Sequence, residues 1–118
     1  MNVNIKIGIA EKESAELLVF YLYEDVKTVE GALVFFDKAL NNTITELIKK
    51  KEFIAKLNKT ITLPTYGKIA AKRIMLAGLG KKKDVTLDKV RQAAGTTASI
   101  TRAMGVSEVT GVIDSIEM

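Results

Sequence analysis

The chain has 118 residues, of which 47% are hydrophobic and 27% charged, with a formal net charge of +4; that length fits one domain with its own core, and the mild charge allows a polyanionic partner without requiring one. Cysteine and histidine are both absent, which excludes a disulfide framework and the usual soft zinc ligands and leaves carboxylates and carbonyls, donors that suit magnesium, calcium or manganese. No segment approaches the ~20 apolar residues of a membrane span, and charges at Lys6, Glu11, Lys12 and Glu13 argue against a signal peptide, so no membrane partner is expected.

Val3, Ile5, Ile7 and Ile9 alternate with Asn2, Asn4, Lys6 and Gly8, the period-two pattern of a half-exposed strand. Glu11–Ser14 reads as a polar turn. Ala15–Tyr23 is almost continuously apolar and rich in β-formers, which predicts a buried inner strand. From Glu30 the period changes: Leu33, Phe36, Leu40, Ile44, Leu47 and Ile48 fall on one helical face. Asn41-Asn42 is a candidate break, and Thr43-Ile-Thr-Glu46 fits a capping box for a second piece. Lys49–Lys51 sit at its carboxyl end, where cations complement the helix dipole.

Phe53–Leu57 and Thr60–Leu63 predict two short strands around Asn58-Lys59, the second stopped by Pro64, with turn chemistry at Tyr66-Gly67-Lys68. Arg73–Leu79 is an apolar run broken by Gly78 and Gly80. After a basic turn, Leu87, Val90, Ala94, Thr97, Ala98, Thr101 and Met104 line one helical stripe, ended by Gly105. The small residues within Ala93–Ala98 predict close approach to a sheet. Glu108–Ile113 is a last strand. The expected order is β-β-α-β-β-β-α-β: an α/β fold of three layers with a mixed, largely parallel sheet and a right-handed crossover through the second helix.

Gly78-Leu79-Gly80 ends a strand where a phosphate loop could sit. A dinucleotide fingerprint needs a third glycine where Lys83 stands. A P-loop needs glycine and Ser/Thr where Met75 and Lys82 stand. The glycines therefore read first as turn-formers, with an anion contact at Gly78, Gly80, Lys81, Lys82 and Lys83 as the alternative. The triplets Lys49–Lys51 and Lys81–Lys83 raise nucleic-acid binding, but no aromatic interleaves them, and a solvated surface is the preferred reading. Asp84 and Asp88 stand four apart at a helix start, where they complement the dipole. With no His, Cys or nucleophile turn to partner them, they do not make a catalytic pair, and no catalytic, metal or cofactor-binding residue is assigned. Phe20, Tyr21, Tyr23, Phe35 and Phe36 read as core.

The segment Arg73–Gly80 with its following lysine, and the Lys89-Val-Arg-Gln-Ala-Ala94 helix behind it, resemble the amino-terminal domain of the leucyl (cytosol) aminopeptidase family. Asp37-Lys-Ala-Leu40, Ile44, Phe53 and Leu63-Pro64 follow the same layout. The resemblance implies a macro-domain-like fold and a cytoplasmic parent enzyme. It implies a hexamer that removes amino-terminal residues from peptides with two divalent metals, zinc or manganese. It places the metals and the catalytic residues in a carboxyl-terminal domain carrying an Asn-Thr-Asp-Ala-Glu-Gly-Arg motif. That motif does not occur in this chain. Residues 1–118 are thus expected to be one non-catalytic domain, excised from or cut short of the full enzyme. Its expected partners are its own catalytic domain and other copies. The alternative is a stand-alone macro-like module for ADP-ribose or nucleic acid, with Asp25 as the acidic residue after an early strand.

Overall fold

Two apolar runs build the centre of the sheet. The computed structural model describes residues 2–6, 16–29, 33–69, 71–106 and 108–112. Strand β2 (Leu17–Leu22) is buried at every position, and β4 (Arg73–Gly78) at every position after Arg73. They pair in parallel, Leu17 opposite Arg73 and Leu22 opposite Gly78. β5 (Glu108–Val112) lies parallel to β2 on its other side, and β1 (Asn2–Lys6) parallel to β5. β3 (Thr60–Pro64) runs antiparallel along the outer side of β4, giving the order β1-β5-β2-β4-β3. Pro64 ends this edge strand, where a missing N–H is tolerated. Ile7, Ile9, Glu11–Ser14 and Ile113 lie outside the described residues.

Alternation along β2 and β4 sorts their side chains onto two faces. Leu18, Phe20, Leu22, Ile74 and Leu76 pack against Leu33, Phe36 and Ile44 of two helices, α1 (Leu33–Ala39) and α2 (Thr43–Lys49). Leu17, Val19, Tyr21, Met75 and Ala77 pack against Ala93 of α3 (Leu87–Ala103). The result is the expected three-layer α/β arrangement. The helix α3 carries the chain from β4 over to β5 on the far side of β2.

The expected helix from Glu30 divides at Asn41 and Asn42, both in the left-handed region with φ of 58° and 62°, which asparagine tolerates better than most residues. The capping box proposed for Thr43 does not form. Asn42 occupies the cap position without a side-chain bond, and the Thr43 hydroxyl turns back to the Leu40 carbonyl. Asp37 of α1 does the capping instead. Its buried carboxylate accepts the Ile44 and Thr45 N–H groups at 2.9 and 3.1 Å and the Thr45 hydroxyl. A sequence-adjacent Thr was displaced by a carboxylate one helix away, the stronger acceptor for orphan N–H groups.

Two further expectations change. Phe53–Leu57 is not a strand. Phe53 and Ala55 are buried and Ile54 and Lys56 exposed, which mimics period two, but the segment crosses the end of β4 instead of pairing with it. The stripe on α3 changes in part: Thr97 and Thr101 are buried and Val90 and Met104 pack against the core as expected, but Ala93 is the buried alanine, Ala94 and Ala98 are half-buried and Leu87 is 56% exposed. Thr86 caps α3 by accepting the Lys89 N–H, and Gly105 leaves it with φ of 74°.

Candidate functional site

In open α/β sheets ligands are held beyond the carboxyl ends of the parallel strands. Here β2 and β4 end side by side at Leu22 and Gly78, and three segments meet above them. The Leu79 N–H donates to the Leu22 carbonyl at 2.9 Å, and the Glu24 N–H to the Gly80 carbonyl at 2.7 Å. The Asp25 carboxylate accepts the Lys82 N–H at 3.2 Å. The Lys82 ammonium stands 5.7 Å from the centre of the Tyr23 ring, within cation–π range. The loop after β2 and the loop after β4 are thus laced together.

The third segment is the strap 53–59. The Gly78 N–H donates to Lys59 and the Gly80 N–H to Ala55, at 2.8 and 3.1 Å. A Cβ at Gly78 would land on the Lys56 and Ala55 carbonyl groups, so glycine stands there because backbone crosses backbone. Gly80 is required differently, by a φ of 81°. The N–H groups of Gly78, Leu79 and Gly80 therefore all point at protein carbonyls, not outward as in a phosphate cradle. Lys81, Lys82 and Lys83 are exposed beside them, Lys82 and Lys83 within a single 3-10 turn, Lys82–Asp84. An anion meeting this group would meet lysine ammoniums.

Beside the strap a cleft of about 280 Å³ opens, lined by Leu22, Val26, Ile48, Phe53, Ile54 and Ala55, with Glu24 and Lys51 also in its wall. Of these residues the sequence singled out only Lys51 as a candidate contact, within the triplet Lys49–Lys51. The signal available was the apolar run Phe53-Ile54-Ala55 shortly after the lysine triplet. Asp84 and Asp88 do not join this site as a pair: Asp84 closes the 3-10 turn, and Asp88 accepts from Gln92 at 3.1 Å. Phe20, Tyr21 and Phe36 are buried as expected, but Phe35 is 48% exposed, its ring meeting Phe36 edge-on at 5.3 Å. Burial raises the Tyr21 phenol above its ordinary value, partly opposed by its hydrogen bond to Thr97.

The sheet order and the two helical layers define a macrodomain-like α/β fold. The macrodomain of DarG from Mycobacterium tuberculosis superposes with a TM-score of 0.67 over 93% of this chain and 74% of that one, at 16% identity. A mutant tomato leucine aminopeptidase superposes with a TM-score of 0.72 over 95% of this chain but 23% of its own length, at 15% identity. Sequence supplies the family. Residues 18–118 match the model of the cytosol aminopeptidase family, N-terminal domain. A probable cytosol aminopeptidase of Sulfurihydrogenibium sp. is 31% identical over 98% of the chain, and one from Geobacter sp. strain M21 is 46% identical over 80% of it. The chain belongs to the cytosol aminopeptidase family, to its N-terminal domain. It spans about a fifth of the length of these two relatives, 22% and 19%.

Proposed function

We propose that this chain is the non-catalytic accessory domain of an aminopeptidase that removes amino-terminal residues from peptides, and that it serves assembly or access to the active site. The observation that carries this reading is coverage. The match fills 98% of this chain and 22% of its Sulfurihydrogenibium relative, so most of that relative lies in sequence this chain does not contain. Two-metal hydrolysis, with zinc or manganese, belongs in this reading to that larger part. The described residues do not fit such a centre: no three potential metal ligands gather among them, whereas two-metal sites need several shared donors. The partners in this reading are the catalytic domain and further copies, in a cytoplasmic hexamer.

Two measurements test it. The coding frame beyond Met118 is expected to continue into an Asn-Thr-Asp-Ala-Glu-Gly-Arg motif, and a stop codon there would overturn the reading. The purified chain is expected to release no leucine from leucine-p-nitroanilide with added zinc or manganese, and metal-dependent release would overturn its non-catalytic assignment.

A further inference from the structure

The fold gathers charge that the sequence scatters. The segments 24–27, 49–59 and 78–84 meet at the carboxyl end of the sheet through the Glu24–Gly80, Asp25–Lys82, Ala55–Gly80 and Lys59–Gly78 hydrogen bonds. Together they hold nine lysines against four carboxylates, a net of +5 that exceeds the +4 of the whole chain. The other described residues hold eight cationic side chains against five carboxylates, a net of +3 over a much longer stretch of chain, so positive charge is densest at this pole. Each lysine of the pole is exposed. Lys51 lines the cleft beside Ile54 and Ala55 of the strap, Lys50 pairs with Glu46 at 3.4 Å, and Lys81–Lys83 follow Gly80, whose N–H the strap accepts at Ala55.

The apolar cleft opens within this pole. Its volume of about 280 Å³ falls just below the roughly 300–1,000 Å³ of small-molecule sites, a size for one or two apolar side chains and too small for a dinucleotide. Ile54, at its lip, is 42% exposed. Lys51 contributes to the wall itself. An apolar socket with Lys51 and Glu24 in its wall, set in a surface of exposed lysines, is complementary to a chain segment with an apolar anchor between carboxylates. Nucleic acid would satisfy the lysines but not the socket, and the pole offers no exposed aromatic face for bases to stack on, since Phe53 is buried and Lys82 sits over Tyr23.

We propose that this pole is a docking surface for an acidic segment of another protein chain, which seats an apolar side chain in the cleft between Ile54 and Lys51 while its carboxylates meet the exposed lysines of the pole. The inference does not depend on the accessory-domain reading, and its test involves neither peptide hydrolysis nor the coding frame.

The test is fluorescence anisotropy of the 118-residue chain with a fluorescein-labelled peptide, Asp-Glu-Asp-Leu-Phe-Asp-Glu. Two control peptides replace Leu-Phe by Ser-Ser, or every acid by its amide. The expected result is binding that weakens with added salt and falls at least about tenfold in the Ser-Ser peptide, the loss expected when a buried apolar side chain is removed. The amide peptide should bind more weakly still. Replacing Lys81, Lys82 and Lys83 together by Gln should weaken the parent peptide about five- to tenfold, as for a few exposed ion pairs. Ile54→Lys should weaken the parent peptide but leave the Ser-Ser peptide unchanged. Circular dichroism melts check that both variants remain folded, and the peptide controls need no variant at all. No binding, equal binding of the parent and Ser-Ser peptides, or tighter binding of a 20-base-pair DNA duplex than of the parent peptide would each overturn the proposal.

Discussion

The two faces of the sheet are packed on opposite plans. Toward α1 and α2 the interior is bulky: Phe20, Phe36, Leu33 and Ile44 are essentially inaccessible, and the Phe20 and Phe36 rings lie 5.1 Å apart. Toward α3 the contacts are small and partly polar. Ala77 and Ala93 let helix and sheet approach, and the Tyr21 hydroxyl reaches Thr97 at 3.1 Å within the interior. Two seven-residue helices depend on large side chains to fill the space they leave, whereas one seventeen-residue helix can lie flat on the sheet. One face should therefore be most sensitive to loss of volume and the other to its gain.

The largest effect is expected from Phe36→Ala, which opens a cavity on the bulky face and should lower stability by ~3–5 kcal/mol, read from the urea midpoint. A loss below about 1 kcal/mol would mean that the short helices close over the gap, and the contrast between the faces would fail. On the other face Ala93→Leu should cost ~1–3 kcal/mol by overpacking, with Ala94→Leu, one residue round the helix and half-buried, costing clearly less. Equal costs would show that the packed stripe includes Ala94 as well as Ala93. The smallest effect is that of Tyr21→Phe, which removes one buried hydrogen bond at ~0.5–1.5 kcal/mol.

The same substitution carries a pH signature. The Tyr21 phenol is raised in the folded protein, chiefly by burial, so above the ordinary value of 10.0 the unfolded chain ionises first and binds fewer protons. This part of the stability is complete below that pH and falls as pH rises toward the folded value. Wild type should lose stability faster than Tyr21→Phe in alkaline denaturation series. Parallel curves would show that the phenol reaches water.

The bulky face was legible in the sequence because large apolar residues declare their period: Leu33, Phe36, Leu40 and Ile44 mark the helices, and Asn41-Asn42 marks the break. The small face was legible only in outline. Leu87 drew the expected stripe toward itself, and alanines and threonines carry too little hydrophobic contrast to correct a register by one position. At the candidate site the lysine triplets were plain, but the meeting of the loops after β2 and β4 with the strap was not, because the strap looks like a strand. The alternation of Phe53, Ile54, Ala55 and Lys56 records which side of the strap is covered, and says nothing about what covers it. Only the carbonyls lying against Gly78 identify it as a crossing.

Asp37 has a consequence for how the molecule opens. Its carboxylate belongs to α1, yet the N–H groups it holds, those of Ile44 and Thr45, belong to α2. If α1 detaches, the first turn of α2 loses its acceptor at the same moment. The two helices should therefore exchange their amide hydrogens as one cooperative unit, with matching opening free energies, although each is short enough to fray alone. Asp37→Asn would weaken that link and let the Ile44 and Thr45 amides exchange ahead of α1, so that a single buried carboxylate sets the boundary of a folding unit.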